Sequence, residues 1–332
     1  MPSINPVKGG KFSLNLCARG KGIFIKNTHH TYMTNRELTE AILKLKAEKR
    51  AVILSHYYTR GEVQAVADFV GDSLALAIQA EKADADIILF AGVRFMGETA
   101  KVLCPDRKVL LPVPEADCSL AQACNGEQLA RFKAEHPGAL VVSYVNTTAE
   151  VKAHTDICCT SSNALKVVES IDPSQEIIFA PDQNLGSYIE KKTGRKLIKW
   201  QGCCHVHDRV TAAQIEELKA AHPEAKVLVH PECRPEVVAL ADVAGSTAAI
   251  LDACGGDDKE YIVVTENGIL WELQRRYPNK VFYPIALECE YMKMITLENI
   301  YRTLVDEAPE VDVPVDVAAA ARRSIENMIA IK

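Results

Sequence analysis

The chain has 332 residues, 48% hydrophobic and 25% charged, with 38 lysines and arginines against 44 aspartates and glutamates, a formal net charge of −6. That is enough apolar material for a large core and too much chain for one small domain. The sequence has no basic stripe, no run of 18 apolar residues and no signal-peptide core, which argues against nucleic-acid binding, membrane spanning and secretion and predicts a cytoplasmic protein with small-molecule partners.

Residues 1–33 carry five lysines and arginines and no acid, which reads as a flexible basic extension. Order is expected from Thr34, which with Glu37 makes a capping box before the periodic run LTEAILKLKAEKR. The chain then repeats itself. AVILSHYYTRGEVQAVADFVGDSLALAIQA from Ala51, ALVVSYVNTTAEVKAHTDICCTSSNALKVV from Ala139 and AKVLVHPECRPEVVALADVAGSTAAILDAC from Ala225 each read as an apolar strand, a polar turn, a short helix and a small-residue turn opening a second helix. With His56, Tyr144 and His230 as origins, Tyr58, Asn146 and Glu232 stand two positions on, Asp68, Asp156 and Asp242 twelve on, and Ser73, Ser161 and Thr247 seventeen on. A second strand (DIILFAGV, EIIFAPDQ, YIVVTENG) and a third (KVLLPV, KLIKW, KVFYP) complete each unit. Strands alternating with helices at this spacing predict an α/β protein of three similar α/β/α domains, their short parallel sheets related by a pseudo-threefold axis. The first domain spans 34–113 and is completed by 290–332, the second spans 114–199 and the third 200–289.

Eleven cysteines without disulfide spacing imply reduced thiols, some of them metal ligands. Cys118 and Cys204 each lie 26 positions before a repeat origin, and one further step of 85 from Cys204 reaches Cys289. Three equivalent thiols at strand ends would converge on the axis, where parallel sheets bind ligands. Structural zinc takes four protein ligands, whereas a [4Fe–4S] cluster held by three cysteines keeps one iron open to act as a Lewis acid. Cys203, Cys104 and the pair Cys158–Cys159 fall outside this register and read as packing residues. The three helix-start hydroxyls, with His56 and His230, suggest a polyanionic substrate. Glu232 is the candidate general base and Tyr58 the candidate proton donor or positioning group. The residues alone leave three other readings: thiols that share a register by descent, a zinc hydrolase built on Cys204, His205 and His207, and a non-catalytic iron–sulfur sensor. No GxGxxG loop follows a strand, so bound NAD is not expected.

The runs SHYYTRGE with VGDSLALA, AGVRFMGETAKVL, EADCSL, TSSNALKVV, APDQNLGSYI, WQGCCHVHD, LVHPE and VGST, spread over 37–296, resemble the quinolinate synthase family, the A protein of bacterial NAD biosynthesis. The resemblance implies a transferase that condenses iminoaspartate with dihydroxyacetone phosphate, loses phosphate and two waters and closes the ring to quinolinate, with a functional link to L-aspartate oxidase. It also implies a [4Fe–4S] cluster on Cys118, Cys204 and Cys289 that does acid–base rather than redox work. The implied catalytic residues are Glu232, Tyr58 and His207, and the implied substrate contacts are His56, Ser73, Tyr144, Asn146, Ser161, His230 and Thr247. One position departs from the family pattern: Cys289 is followed by Glu290 where proline is common.

Overall fold

The computed structural model describes residues 33–331; the extension expected over 1–33 lies, apart from its last residue, outside the described residues. The Thr34 hydroxyl accepts the Glu37 N–H, and the Glu37 carboxylate accepts the Thr34 N–H at 2.7 Å, so the capping box opens α1 (Asn35–Glu48) with Leu38 and Ile42 turned to the core.

One series of elements then runs three times. In the first module it is β1 (Ala51–His56), α2 (Gly61–Val66), β2 (Phe69–Gly71), α3 (Ser73–Lys82), β3 (Ile87–Ala91), α4 (Arg94–Leu103) and β4 (Lys108–Leu110). The second opens with α5 (Ser119–Ala123) and α6 (Gly126–Glu135). It continues as β5 (Leu140–Tyr144), α7 (Ala149–Ala153), β6 (Ile157–Cys159), α8 (Ala164–Glu169), β7 (Ile177–Ala180), α9 (Gln183–Thr193) and β8 (Ile198–Lys199). The third is α10 (Ala212–Ala221), β9 (Lys226–Val229), α11 (Pro235–Val238), β10 (Val243–Ala244), α12 (Thr247–Ala253), β11 (Glu260–Val264), α13 (Ile269–Arg276) and β12 (Val281–Pro284). The chain ends with α14 (Glu290–Lys293), α15 (Leu297–Asp306) and α16 (Val315–Ala330).

Each module holds one parallel four-stranded sheet, ordered β2-β1-β3-β4, β6-β5-β7-β8 and β10-β9-β11-β12. The central pairs start in matching registers, Ala51 against Ile87, Leu140 against Ile177 and Lys226 against Tyr261. This is the expected α/β architecture of three like modules. Helices cover both faces, which is why the strands read as continuous apolar runs; β3 is buried along its whole length.

The sequence predicts three strands per repeat, and each sheet has a fourth. β2, β6 and β10 are two or three residues long and lie in the stretch expected to be a turn; so few residues cannot display a period of two. The recurring aspartates hold them in place. Asp68 accepts the Ile53 N–H at 2.7 Å, Asp156 that of Val141 at 2.8 Å and Asp242 that of Val227 at 2.8 Å. Each aspartate N–H returns to the carbonyl of the same residue, at 2.9, 3.0 and 2.9 Å. These repeated acids are therefore staples between a central strand and the short edge strand that follows.

α15 lies against α1 and β3, whereas α16 lies against α7 and β6 of the second module and α4 of the first. Among the described residues no helix is long and apolar enough to cross a membrane. The first central strands end at His56, Tyr144 and just before His230, and the loops after edge strands β4, β8 and β12 carry Cys118, Cys204 and Cys289. All the candidate residues named from the repeat thus belong to the carboxyl ends of the three sheets.

Candidate active site

All thirteen residues singled out in the sequence line one cavity of about 710 Å³ including its open mouth. His56, Tyr144 and His230 stand at strand ends, and Tyr58, Asn146 and Glu232 follow two positions later. The expected helix-start hydroxyls are displaced by one step from capping. Ser73 and Thr247 are the first residues of α3 and α12, but the caps are Asp72 and Ser246, whose side chains accept from Ala75 and Ala249. Ser161 sits in the turn before α8, whose cap position is Asn163. At α3 and α12 neighbours therefore do the capping, and the Asn163 side chain makes no capping bond at α8, so none of the three cavity hydroxyls caps a helix.

Glu232 is the centre of the polar network and is only 4% exposed. Tyr144 Oη donates to its Oε1 at 2.6 Å, and His207 Nδ1 lies 2.8 Å from its Oε2. Burial pushes this carboxyl up, but His230, His207 and the Tyr144 hydrogen bond together outweigh it and hold the group ionised, below the usual carboxylate range. His207 Nδ1 also lies 3.3 Å from Cys204 Sγ; a proton on Nδ1, shared between this sulfur and the carboxylate, leaves Nε2 as an acceptor, 2.9 Å from Thr265 Oγ1. Thr265 Oγ1 lies 2.7 Å from Tyr58 Oη, which lies 2.9 Å from Thr247 Oγ1. One directional chain satisfies every group: Thr247 to Tyr58, Tyr58 to Thr265, Thr265 to His207, His207 to Glu232. Thr265 was not visible in the sequence as a site residue. Replacing it with isosteric valine is expected to cut the chain and lower kcat by about 100-fold, measured as the steady-state rate of product formation.

His56 and His230 repeat one arrangement. Nδ1 of each accepts the backbone N–H two residues on, from Tyr58 at 3.1 Å and Glu232 at 3.3 Å, so the remaining proton is on Nε2. His230 Nδ1 also lies 4.0 Å from the Glu232 carboxylate, too far for a hydrogen bond and already occupied. Burial lowers His56 to about 3 and His230 to about 4, so both are neutral donors. The unfolded chain, with histidines near 6.5, binds these protons first; stability therefore falls as pH drops below about 6.5. The expected loss between pH 6.5 and 5 is on the order of 2 kcal/mol per histidine, to be read from denaturant midpoints, and a His56→Asn His230→Asn protein should lose much of that slope.

The three register cysteines share a feature that Cys158, Cys233 and Cys254 lack. Cys118 and Cys289 are the cap positions of α5 and α14. The Cys118 sulfur faces the N–H groups of Leu120 and Ala121, Cys204 that of His207, and Cys289 those of Met292 and Tyr291. Backbone donors at i+2 and i+3 stabilise a thiolate, the form that binds metal. Burial, joined by the negative charge of Glu232 near Cys118 and Cys204 and of Glu266 near Cys289, opposes that form, and the thiols are pushed up to about 12 at Cys118, to about 11 at Cys289 and well above the usual range at Cys204. A cation would reconcile the burial with the donors, so the three thiols fit a metal-containing group. Cys203, beside Cys204, instead faces Asp208, and Cys104, Cys158 and Cys159 are buried packing residues.

Glu290 also has a place. Its carboxylate meets His205 Nε2 at 3.0 Å, and the His205 N–H donates to Ser119 Oγ at 3.1 Å. The residues following Cys204 and Cys289 thus touch each other, and that following Cys118 joins them. Among the described residues the alternative set Cys204, His205 and His207 does not bring its ligand atoms within 4.8 Å of one another. Among the described residues the group whose donor atoms lie within 4.8 Å of one another is Cys204, His207 and Glu232. Sequence reasoning also missed Glu266, fully buried, which pairs with Lys293 at 2.7 Å and accepts the Cys289 N–H at 3.2 Å.

Comparison with known proteins places this geometry. A family model described as Quinolinate synthetase A protein matches residues 40–330. Quinolinate synthase of Chloroherpeton thalassium is 49% identical over 306 residues, covering 90% of this chain and 95% of that protein. Quinolinate synthase 2 of Methanosarcina acetivorans is 48% identical, with 90% and 97% covered, and quinolinate synthase of Synechocystis sp. is 47% identical, with 89% and 95% covered.

Proposed function

The chain belongs to the quinolinate synthetase A family, and on that premise we propose that it condenses iminoaspartate with dihydroxyacetone phosphate and closes the product to quinolinate, releasing phosphate and water. The observation that supports this best is the meeting of three backbone-supported thiols, the Glu232–His207–Thr265–Tyr58 chain and a ring of neutral donors in one cavity. Cys118, Cys204 and Cys289 would hold a [4Fe–4S] cluster, which when bound supplies an open Lewis-acidic iron for a substrate oxygen.

The protein's own groups divide the remaining work. The substrates carry two carboxylates and a phosphate, yet no lysine or arginine lines the cavity among the described residues. Binding therefore falls to oriented neutral donors: Nε2–H of His56 and His230, the hydroxyls of Ser73 and Ser161, and the Asn146 amide, with Thr247, whose proton goes to Tyr58, left to accept. The enamine form of iminoaspartate requires loss of a Cβ proton. Glu232 supplies the basicity through His207: as Tyr58 takes up the substrate proton, its own passes by Thr265 to His207 Nε2, and the adjacent carboxylate stabilises the imidazolium. The reverse transfer makes Tyr58 a donor to a departing hydroxyl. An L-aspartate oxidase is the class of enzyme that would supply the imine, and a reduced thiol set suits the cytoplasm. The test is an anaerobic assay of the full chain for quinolinate from the two substrates. Formation of quinolinate supports the reading, and a metal-loaded but inert protein refutes it.

A further inference from the structure

Gln64 and Lys152 hold the same place in two modules, eight positions past His56 and Tyr144, on α2 and α7. They are 3% and 0% exposed. Gln64 Nε2 donates to Tyr57 O at 2.8 Å and Thr59 O at 3.0 Å, the carbonyls on either side of Tyr58. Lys152 Nζ donates to Val145 O at 2.8 Å and to Thr147 O, the carbonyls on either side of Asn146. A primary amide and an ammonium share little except terminal N–H donors, so donation to this carbonyl pair is what the position provides. Burying the ammonium costs more than burying the amide, and the Phe95 ring 5.4 Å from Nζ offsets part of that cost. In the third module the equivalent residue is Val238, packed in an apolar cluster, and Glu232 is held from elsewhere: its carbonyl accepts from Asn184 Nδ2 at 3.1 Å.

We propose that Gln64 and Lys152 are positioning residues, each clamping the two carbonyls that flank a cavity side chain and so fixing the direction of Tyr58 and Asn146. The inference rests on the reading of this cavity as the catalytic site. It matters most for Asn146, whose Oδ1 is buried with no partner among the described residues, so that the loop backbone alone aims it. A clamp loosened by an ångström would misplace that amide against the substrate.

The test compares Lys152→Met and Lys152→Gln in the full, metal-loaded chain. Lys152→Met is expected to lower kcat/KM by about 10- to 100-fold, Lys152→Gln to recover most of the loss because glutamine performs the same task at Gln64, and Lys152→Met combined with Asn146→Ala to lose no more than Asn146→Ala alone. Gln64→Leu with Tyr58→Phe gives the matching cycle in the first module and decides the matter if Lys152→Met does not fold. Multiplicative losses in these cycles, or a Lys152→Met protein with a lowered Tm and unchanged kcat/KM, would overturn the inference. An impaired Asn146→Ala beside an unimpaired Lys152→Met refutes the clamp alone; a fully active Asn146→Ala refutes the site reading on which it depends.

Discussion

Alanine at any one of Cys118, Cys204 or Cys289 is expected to abolish quinolinate formation and leave protein purified without air nearly free of iron and acid-labile sulfide. The expectation rests on contrast within one chain. Each of these sulfurs stands at a turn or helix start with backbone N–H groups directed at it and faces the common cavity. The Cys158, Cys233 and Cys254 thiols have burial as the main influence and no such backbone donors. Cys203 is the most demanding control, since it is adjacent to Cys204 but does not line the cavity. Cys203→Ala should therefore retain full iron and sulfide. Two remaining thiolates are too few for a stable cluster, so the loss in each single variant should be near total rather than proportional.

Glu232→Gln is the second large effect expected, a fall in kcat of about 10³- to 10⁴-fold with metal content unchanged. The size follows from direction as much as from charge. Glutamine keeps the volume of the side chain but can turn its amide hydrogens toward His207 Nδ1, 2.8 Å away in the native protein. Nδ1 would then become the acceptor and Nε2 the proton carrier, reversing the bonds through Thr265 and Tyr58 and removing the acceptor at the end of the chain. Tyr144→Phe removes only one of the two supports of the carboxylate and leaves the His207 tautomer intact, so its effect should be smaller. If Glu232→Gln and Tyr144→Phe cost the same in kcat, the carboxylate acts through its hydrogen bonds alone and the directional chain is wrong.

What the sequence made legible was whatever the repeat preserved. His56, Tyr144 and His230, the pairs of residues that follow them, and Cys118 and Cys204 could be aligned because strand-end geometry keeps their spacing fixed. Elements and residues that perform one task with different chemistry stayed hidden. The residues just after the second central strands are Gly92, Pro181 and Thr265, three types with nothing in common, so the link between Tyr58 and His207 had no repeated signal. The next position is Val93, Asp182 and Glu266, which concealed two fully buried carboxylates. Gln64, Lys152 and Val238 were hidden in the same way. The short edge strands were missed for want of length, although the aspartates that staple them were already aligned and only their partners were unknown. Ser73 and Thr247, read as helix-start hydroxyls, are the first residues of α3 and α12; the caps one position earlier, Asp72 and Ser246, were not singled out.

The central claim is that thiols from three separate modules grip one iron–sulfur group beside the Glu232 network. Iron and acid-labile sulfide counted per chain, in protein purified without air, test it most directly when wild type is set beside Cys118→Ala, Cys204→Ala, Cys289→Ala and Cys203→Ala. The account predicts about four of each per chain in wild type and Cys203→Ala and almost none in the other three. Full iron and sulfide in any one of the three, or stoichiometric zinc without sulfide in the wild type, would contradict it.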